Sequence, residues 1–148
     1  MPVVESSIEI AAPPAKVREI FLDFAKYSEW HTAWIKKLEC EDSSKSPLSL
    51  QPGDKVKCNI ENFDFVAEIM ENTEGLLLWQ GPPVFTVSGR HSFRMEPVND
   101  GASTLFTQAE DLSGLLSFLA SPYLLGRMMK SDFDGFLKDL KVRAEAST

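Results

Sequence analysis

The chain has few of the residues on which metal-bound and disulfide-linked proteins depend. Its 148 residues include only two cysteines, Cys40 and Cys58, and two histidines, His31 and His91. Two cysteines are too few for a disulfide scaffold, and four Cys and His in all do not make a zinc-site pattern. We therefore expect no metal and no other cofactor. We also expect both thiols to be free, as is usual in a reducing compartment.

Positive charge is also scarce. Fifteen Lys and Arg stand against 22 Asp and Glu, which gives a net charge of -7, and no basic stripe interrupts this balance. Phosphate backbones and anionic lipid surfaces attract the opposite sign of charge. We therefore expect no nucleic-acid partner.

Long apolar runs are missing as well. No segment approaches the roughly 20 residues that a membrane-spanning helix needs, and residues 1–5 lack the basic-then-apolar layout of a signal peptide. We expect no integral membrane association and a cytoplasmic location. The composition, 43% hydrophobic and 25% charged, fits a single domain over residues 1–148.

Motifs of common hydrolases and nucleotide-binding proteins are absent. The stretch Gly81-Pro82-Pro83 has no phosphate-loop pattern, and no Gly-x-Ser-x-Gly elbow occurs. Glu61, Asp64 and Glu68 alternate with apolar residues at 63, 65 and 67. This alternation is typical of the solvent face of a strand rather than of a catalytic carboxylate pair.

Hydrophobic periodicity predicts one strand, two short helices, about six further strands and a long final helix. The strands are predicted at 3–10, 35–41, 56–60, 63–69, 76–79, 85–96 and 103–112. The short helices are predicted from Pro14 and within 25–34, and the long one from the N-cap pair Ser121-Pro122 through Leu140. Its charged side, with Lys130 and Lys141, is expected to face solvent, and residues 145–148 are expected to fray.

Four segments in this order resemble a known family: 7–13 (SIEIAAP), 27–30 (YSEW), 89–97 (GRHSFRMEP) and 101–116 (GASTLFTQAEDLSGLL). Together they are similar to the START-related SRPBCC superfamily of polyketide cyclase/dehydrase and lipid-transport proteins, over essentially the whole chain. The resemblance implies an α+β helix-grip fold, in which a curved seven-stranded antiparallel sheet wraps round a long C-terminal helix and encloses a hydrophobic cavity. One departure is Trp30-His31-Thr32, where many relatives carry Trp-Asn-Pro.

His91 is the main candidate for chemistry. Alternation along 85–96 places it on the apolar face of its strand, directed toward the helix. Its imidazole is either a ligand contact or proton-transfer group, or a structural hydrogen-bonding group. If the turn at 99–101 pairs Pro97 with Thr104, Glu110 lies opposite His91 and is the second catalytic candidate. A one-residue slip would turn Glu110 to the other face.

Aromatic and apolar side chains are interpreted either as cavity lining or as ordinary core packing. The candidate ligand-binding residues are Trp30, His31, Trp34, Phe65, Trp79, Phe85, Val87, His91, Phe93, Phe106, Tyr123, Leu125, Met129 and Phe133. The first hypothesis is a binding protein for a hydrophobic or aromatic small molecule such as a lipid, sterol or polyketide. The alternatives are a cyclase, dehydratase or isomerase that uses His91 as acid/base, and a co-chaperone-like interaction module.

Overall fold

A computed structural model describes residues 3–82, 88–113 and 125–146. Its elements are strand β1 (Val3–Ile10), helix α1 (Pro14–Leu22), a 3-10 helix (Phe24–Glu29), strands β2 (Ile35–Cys40), β3 (Lys55–Ile60), β4 (Phe63–Thr73), β5 (Leu76–Gln80), β6 (Ser88–Val98) and β7 (Ser103–Ser113), and helix α2 (Leu125–Ala146). Short 3-10 turns lie at Pro47–Ser49 and Asn99–Gly101. The element order predicted from periodicity is confirmed.

The seven strands form one antiparallel sheet in the order β1-β7-β6-β5-β4-β3-β2. Strands β2 to β7 are a meander of hairpins, and β1 pairs with β7 at the far edge. In the β6–β7 hairpin Pro97 pairs with Thr104, because the turn at Asn99 and Asp100 uses two consecutive residues with positive φ. This is the register on which the position of Glu110 depends.

Helices α1 and α2 cover the concave face of the curled sheet, so the fold is the helix-grip. The ring of Phe21 in α1 lies 4.7 Å from that of Phe93 and 5.3 Å from that of Phe106. The predicted apolar stripe of α2 is buried against this layer at Phe133, Phe136, Leu137 and Leu140. The apolar face of the sheet and the helix stripe therefore form one core.

The polar flank of α2 contacts β1 rather than only solvent. Lys130 and Lys141 donate to the backbone carbonyls of Glu5 (3.3 Å) and Glu9 (2.9 Å). Glu145 accepts a hydrogen bond from the Ala11 amide at 2.8 Å. These contacts cover the edge of β1 that has no neighbouring strand. They correct one expectation, because this face is not simply solvated. Helix α2 continues through Ala146, and residues 147–148, which were also expected to fray, lie outside the described residues.

Two other expectations are refined by the structure, and a third falls outside the described residues. The second short helix, expected within 25–34, is a 3-10 helix at Phe24–Glu29 and is followed by a loop. Phe63 is 72% exposed, although the unbroken register puts it on the same face as Phe65 and Ala67, because it lies at the start of β4 next to the tight turn at Glu61 and Asn62. The predicted helix start at Ser121 lies outside the described residues.

Both cysteines are free and buried, Cys40 on β2 and Cys58 on β3. Within residues 3–82, 88–113 and 125–146, no helix combines the length and apolar character needed to cross a membrane.

Candidate functional site

One row of paired residues across the sheet contains both catalytic candidates. His91 on β6 pairs with Trp79 on β5 and with Glu110 on β7. Directly paired residues of antiparallel strands point to the same face of the sheet. All three side chains therefore point to the concave face, as the expected register requires, and His91 is only 6% exposed.

Aromatic rings surround the His91 imidazole on several sides. The imidazole stacks on Phe93 with a centroid distance of 4.4 Å, and Trp79 meets it edge-on at 5.9 Å. From outside the sheet, Phe133 of α2 lies 5.1 Å away and Trp34 6.1 Å away. His91 thus sits in a largely apolar environment between sheet and helix, where polar interactions are strong and unpaired polar groups are costly.

Gln108 is a buried polar side chain that the sequence analysis did not select. It pairs with Phe93, is 0% exposed and donates from Nε2 to Nε2 of His91 at 2.9 Å. Because Nε2 accepts, the proton of a neutral imidazole lies on Nδ1, which faces Glu110. The available signal was alternation, since β7 residues 104, 106, 108, 110 and 112 share the face of Phe106.

Glu110 approaches His91 without completing a hydrogen bond. Its Oε2 lies 3.2 Å from His91 Nδ1 without forming a hydrogen bond to it, and within the described residues this buried oxygen has no hydrogen-bonding partner. The carboxylate occupies space above Gly89, where a Cβ would come within 2.4 Å of Oε1. Gly89 therefore makes room for the carboxylate on the concave face.

His31 lies near this site but is fully engaged in a structural role. Its Nδ1 donates to Asp139 of α2 at 2.8 Å, and its Nε2 accepts from the Ile35 amide at 3.1 Å. These two bonds hold the segment before β2 against α2, in a loop that lacks the stiff proline of the Trp-Asn-Pro pattern. Both ring nitrogens are occupied, so His31 offers a ligand only a ring edge.

The other candidate lining residues occupy different positions. Trp34, Trp79, Phe93, Phe106 and Phe133 are buried in the core, and Trp30, Phe65 and Met129 are partly buried against it. Phe85, Val87 and Tyr123 lie outside the described residues, and the side chain of Leu125 is not described. The structure brings together His91, Trp34, Trp79, Phe93 and Phe133, whereas Trp30 contacts Tyr27 and Phe136 instead.

Two surface grooves lie away from these residues. One of about 310 Å³ is on the outer face of the sheet beside Lys55, Glu68 and Gln80, and one of about 540 Å³ lies along Lys130, Asp134 and Lys138 of α2. Neither contains a candidate site residue. Among the described side chains, no group of three His, Cys, Asp or Glu is arranged to hold a metal ion.

Chemically, the arrangement joins one imidazole, one carboxylate and one carboxamide on an otherwise apolar wall. The imidazole is able to accept or donate a proton, and the carboxylate lies beside its Nδ1. The three groups lie near the end of the sheet where β5 ends, β6 begins and β7 ends. This end of the interior is therefore where a ligand would meet polar atoms.

Comparison with solved structures finds the same fold in proteins of low sequence identity. A START superfamily protein from Mycobacterium smegmatis is 18% identical, with a TM-score of 0.71 and 99% of each chain covered. The Zhui aromatase/cyclase from Streptomyces sp. R1128 is 15% identical, with a TM-score of 0.71 and coverage of 97% of this chain and 93% of the other. A hypothetical protein from Helicobacter pylori is 13% identical, with a TM-score of 0.77 and coverage of 96% and 87%.

Sequence comparison identifies the family. No functionally curated protein matches the chain. The family model described as polyketide cyclase / dehydrase and lipid transport matches residues 1–145, in agreement with the helix-grip topology and the similar structures. The chain therefore belongs to the polyketide cyclase / dehydrase and lipid transport family.

Proposed function

We propose that the protein binds a hydrophobic or aromatic small molecule between the concave face of the sheet and α2. The polar end of the ligand lies at His91 and Glu110. The observation that carries this proposal is the His91–Glu110 pair, 3.2 Å apart, set in a wall of aromatic rings. A buried polar pair on an apolar concave face is the usual composition of a small-molecule site.

The aromatic residues supply the apolar part of the proposed site. Trp34, Trp79 and Phe133 surround the imidazole, and flat rings of this kind stack on flat or extended apolar ligands. Met129 is partly buried on the same helix, and its flexible side chain suits ligands of varied shape. The free buried thiols fit the reducing cytoplasm as the location of the protein.

Binding is tested with the freshly purified protein. Native mass spectrometry should show a co-purified small molecule, and Nile red should bind with increased fluorescence and be displaced by a fatty acid, sterol or polyketide. The indole N–H signals of Trp34 and Trp79 should shift on binding, because both rings adjoin the proposed site. The proposal fails if the folded protein binds none of a broad panel at micromolar concentrations.

A second candidate function is catalysis in the same site, as a cyclase, dehydratase or isomerase of a polyketide-like substrate. It is favoured by the Gln108–His91 hydrogen bond, which leaves the proton of a neutral imidazole on Nδ1, 3.2 Å from Glu110 Oε2, and so presents a defined proton. Confinement of a reactive chain beside one acid/base group is a sufficient catalytic device. One similar structure is an aromatase/cyclase, which is consistent with this candidate.

His91→Gln separates the two functions. If His91 transfers a proton, turnover of an established substrate should fall by on the order of 100-fold while ligand affinity stays near wild type. Glu110→Gln should lower turnover less, since it acts through His91. Unchanged turnover in His91→Gln would remove His91 from the mechanism and leave binding as the function.

A further inference from the structure

We propose that Gln108 and Glu110 together select ligands whose polar end donates hydrogen bonds, and that they reject ligands ending in a carboxylate. This inference rests on the proposed binding function and narrows its ligand class. The chemistry that the site recognises is a neutral hydroxyl or N–H group on an apolar body.

Three buried side-chain acceptor atoms lack donors in the described residues: Oδ1 of Asn59, Oε1 of Gln108 and Oε2 of Glu110. The last two lie on the concave wall beside His91. Gln108 is 0% exposed, so bulk water does not supply the missing donor to its oxygen. Buried polar atoms in folded proteins nearly always have a partner. Two unpartnered acceptors on one wall therefore indicate a place where a ligand supplies the donors.

The two acceptors are neighbours on one strand. Gln108 and Glu110 are two residues apart on β7 and point to the same face of the sheet, since their paired residues are Phe93 and His91. Residues i and i+2 on a strand lie about 7 Å apart. The His91 imidazole contacts both side chains: its Nε2 faces Gln108 and its Nδ1 faces Glu110.

The local charge excludes an anion. A ligand carboxylate would approach the carboxylate of Glu110 in a low-dielectric wall, where repulsion between like charges is strong. The residues of β5, β6 and β7 that share this face in the described structure include no Lys or Arg; Arg90 and Arg94 are exposed on the other face. A fatty acid held by its head group is therefore not the ligand expected here.

Gly89 gives a way to move the carboxylate without changing its charge. A Cβ at this position would meet Glu110 Oε1 at 2.4 Å and Leu112 Cδ2 at 3.2 Å. The side chain of Glu110 is flexible, so Gly89→Ala should displace its carboxylate from the wall. The backbone of Gly89 does not need a positive φ, so alanine is not strained by its own conformation.

The test uses three probes of one shape, 2-naphthol, 2-methoxynaphthalene and 2-naphthoate, with affinities measured by tryptophan fluorescence at pH 7.5. Wild type should bind 2-naphthol about tenfold or more tighter than 2-methoxynaphthalene, because a site built to accept a hydroxyl proton rejects the analogue that lacks it. It should bind 2-naphthoate most weakly.

Three variants test whether the selectivity depends on the acceptor groups of Gln108 and Glu110. Gln108→Met and Gly89→Ala should each reduce the preference for 2-naphthol over 2-methoxynaphthalene to within about threefold. Glu110→Gln keeps an acceptor oxygen but removes the negative charge, so it should instead raise the affinity for 2-naphthoate toward that for 2-naphthol. Asp111→Asn is the matched control, because it removes one negative charge from the adjacent, exposed position of β7; it should keep the wild-type preference. Circular dichroism establishes which variants are folded, and the two conservative variants of Glu110 and Gly89 decide the test if Gln108→Met does not fold.

The outcomes distinguish a failure of the proposed selectivity from a failure of the proposed binding function. If neither Nile red nor any naphthalene binds, the proposed function fails. If Nile red binds but the three naphthalenes bind equally, or 2-naphthoate binds tightest, the selectivity is wrong and the binding function stands.

Discussion

His91 Nδ1 lies 3.2 Å from Glu110 Oε2 across the β6–β7 hairpin. The two residues are 19 positions apart in the sequence, and only the register set by the turn at Asn99–Gly101 brings them together. The contact therefore depends on the geometry of the hairpin as well as on the two side chains. A change in this register would separate the two polar groups of the proposed site.

The first prediction concerns this pair. His91→Leu should destabilise the fold by about 1–3 kcal/mol, because it leaves the buried donor of Gln108 and the carboxylate of Glu110 without their nearest polar group. In the double variant with Glu110→Gln, the combined loss should fall short of the sum of the single losses by about 0.5–3 kcal/mol. Urea denaturation followed by fluorescence measures all four proteins. Additive losses would show that the two side chains do not interact.

The sequence predicts the residues of this site that strand alternation and hairpin register place, but not those whose burial depends on tertiary packing. Alternation correctly placed His91 on the concave face, and the pairing of Pro97 with Thr104 then placed Glu110 opposite it. Gln108 lies on the same face by the same alternation, but a polar residue in a strand has no sequence feature that marks it as buried. Its burial depends on the elements that pack against the concave face of the sheet, which is a tertiary effect.

The second prediction concerns α2 as the wall of the core. Phe133 and Leu137 are both 1% exposed, so Phe133→Ala and Leu137→Ala should each cost about 2–5 kcal/mol. Lys138 is exposed on the opposite side of the helix, and Lys138→Ala should cost under about 0.5 kcal/mol. Chemical denaturation gives the three values. Small and equal effects would mean that α2 does not cover the sheet in solution.

The third prediction concerns His31. Replacing it with Ala removes the bonds to Asp139 and to the Ile35 amide and should cost about 1–3 kcal/mol, because a buried amide donor is left without an acceptor. Asp139→Asn should cost less, since Asp139 is partly exposed and its asparagine still accepts from Nδ1. Thr32→Ala is the control at an exposed neighbouring position. A thermal denaturation midpoint for His31→Ala equal to that of the control would contradict this role.

The role of His31 could not be read from the sequence. The aromatic residues Trp30 and Trp34 suggest cavity lining, and His31 between them is a candidate ligand contact by sequence. The structure uses both ring nitrogens to fasten this loop to α2, through Asp139, which is 108 positions away in the sequence. Long-range polar contacts of this kind leave no periodic pattern, whereas apolar stripes such as Phe133, Phe136 and Leu140 do.

The last prediction is a pH dependence of stability centred on Asp132 of α2. Burial, a hydrogen bond to Glu61 and the charge of Glu61 raise the pKa of Asp132 from 3.8 to about 6. Between about pH 4 and 6 the folded protein therefore holds more protons than the unfolded chain, so this group's contribution to stability is lost as pH rises through that window.

Asp132→Asn should be more stable than wild type at pH 7.5 and should lose less stability between pH 4 and 6. Glu96→Gln, which removes one charge from an exposed position of β6, is the control and should leave the wild-type slope. Denaturation midpoints are measured from pH 4 to 8, and a slope in Asp132→Asn equal to that of wild type would show that folding does not raise the pKa of Asp132.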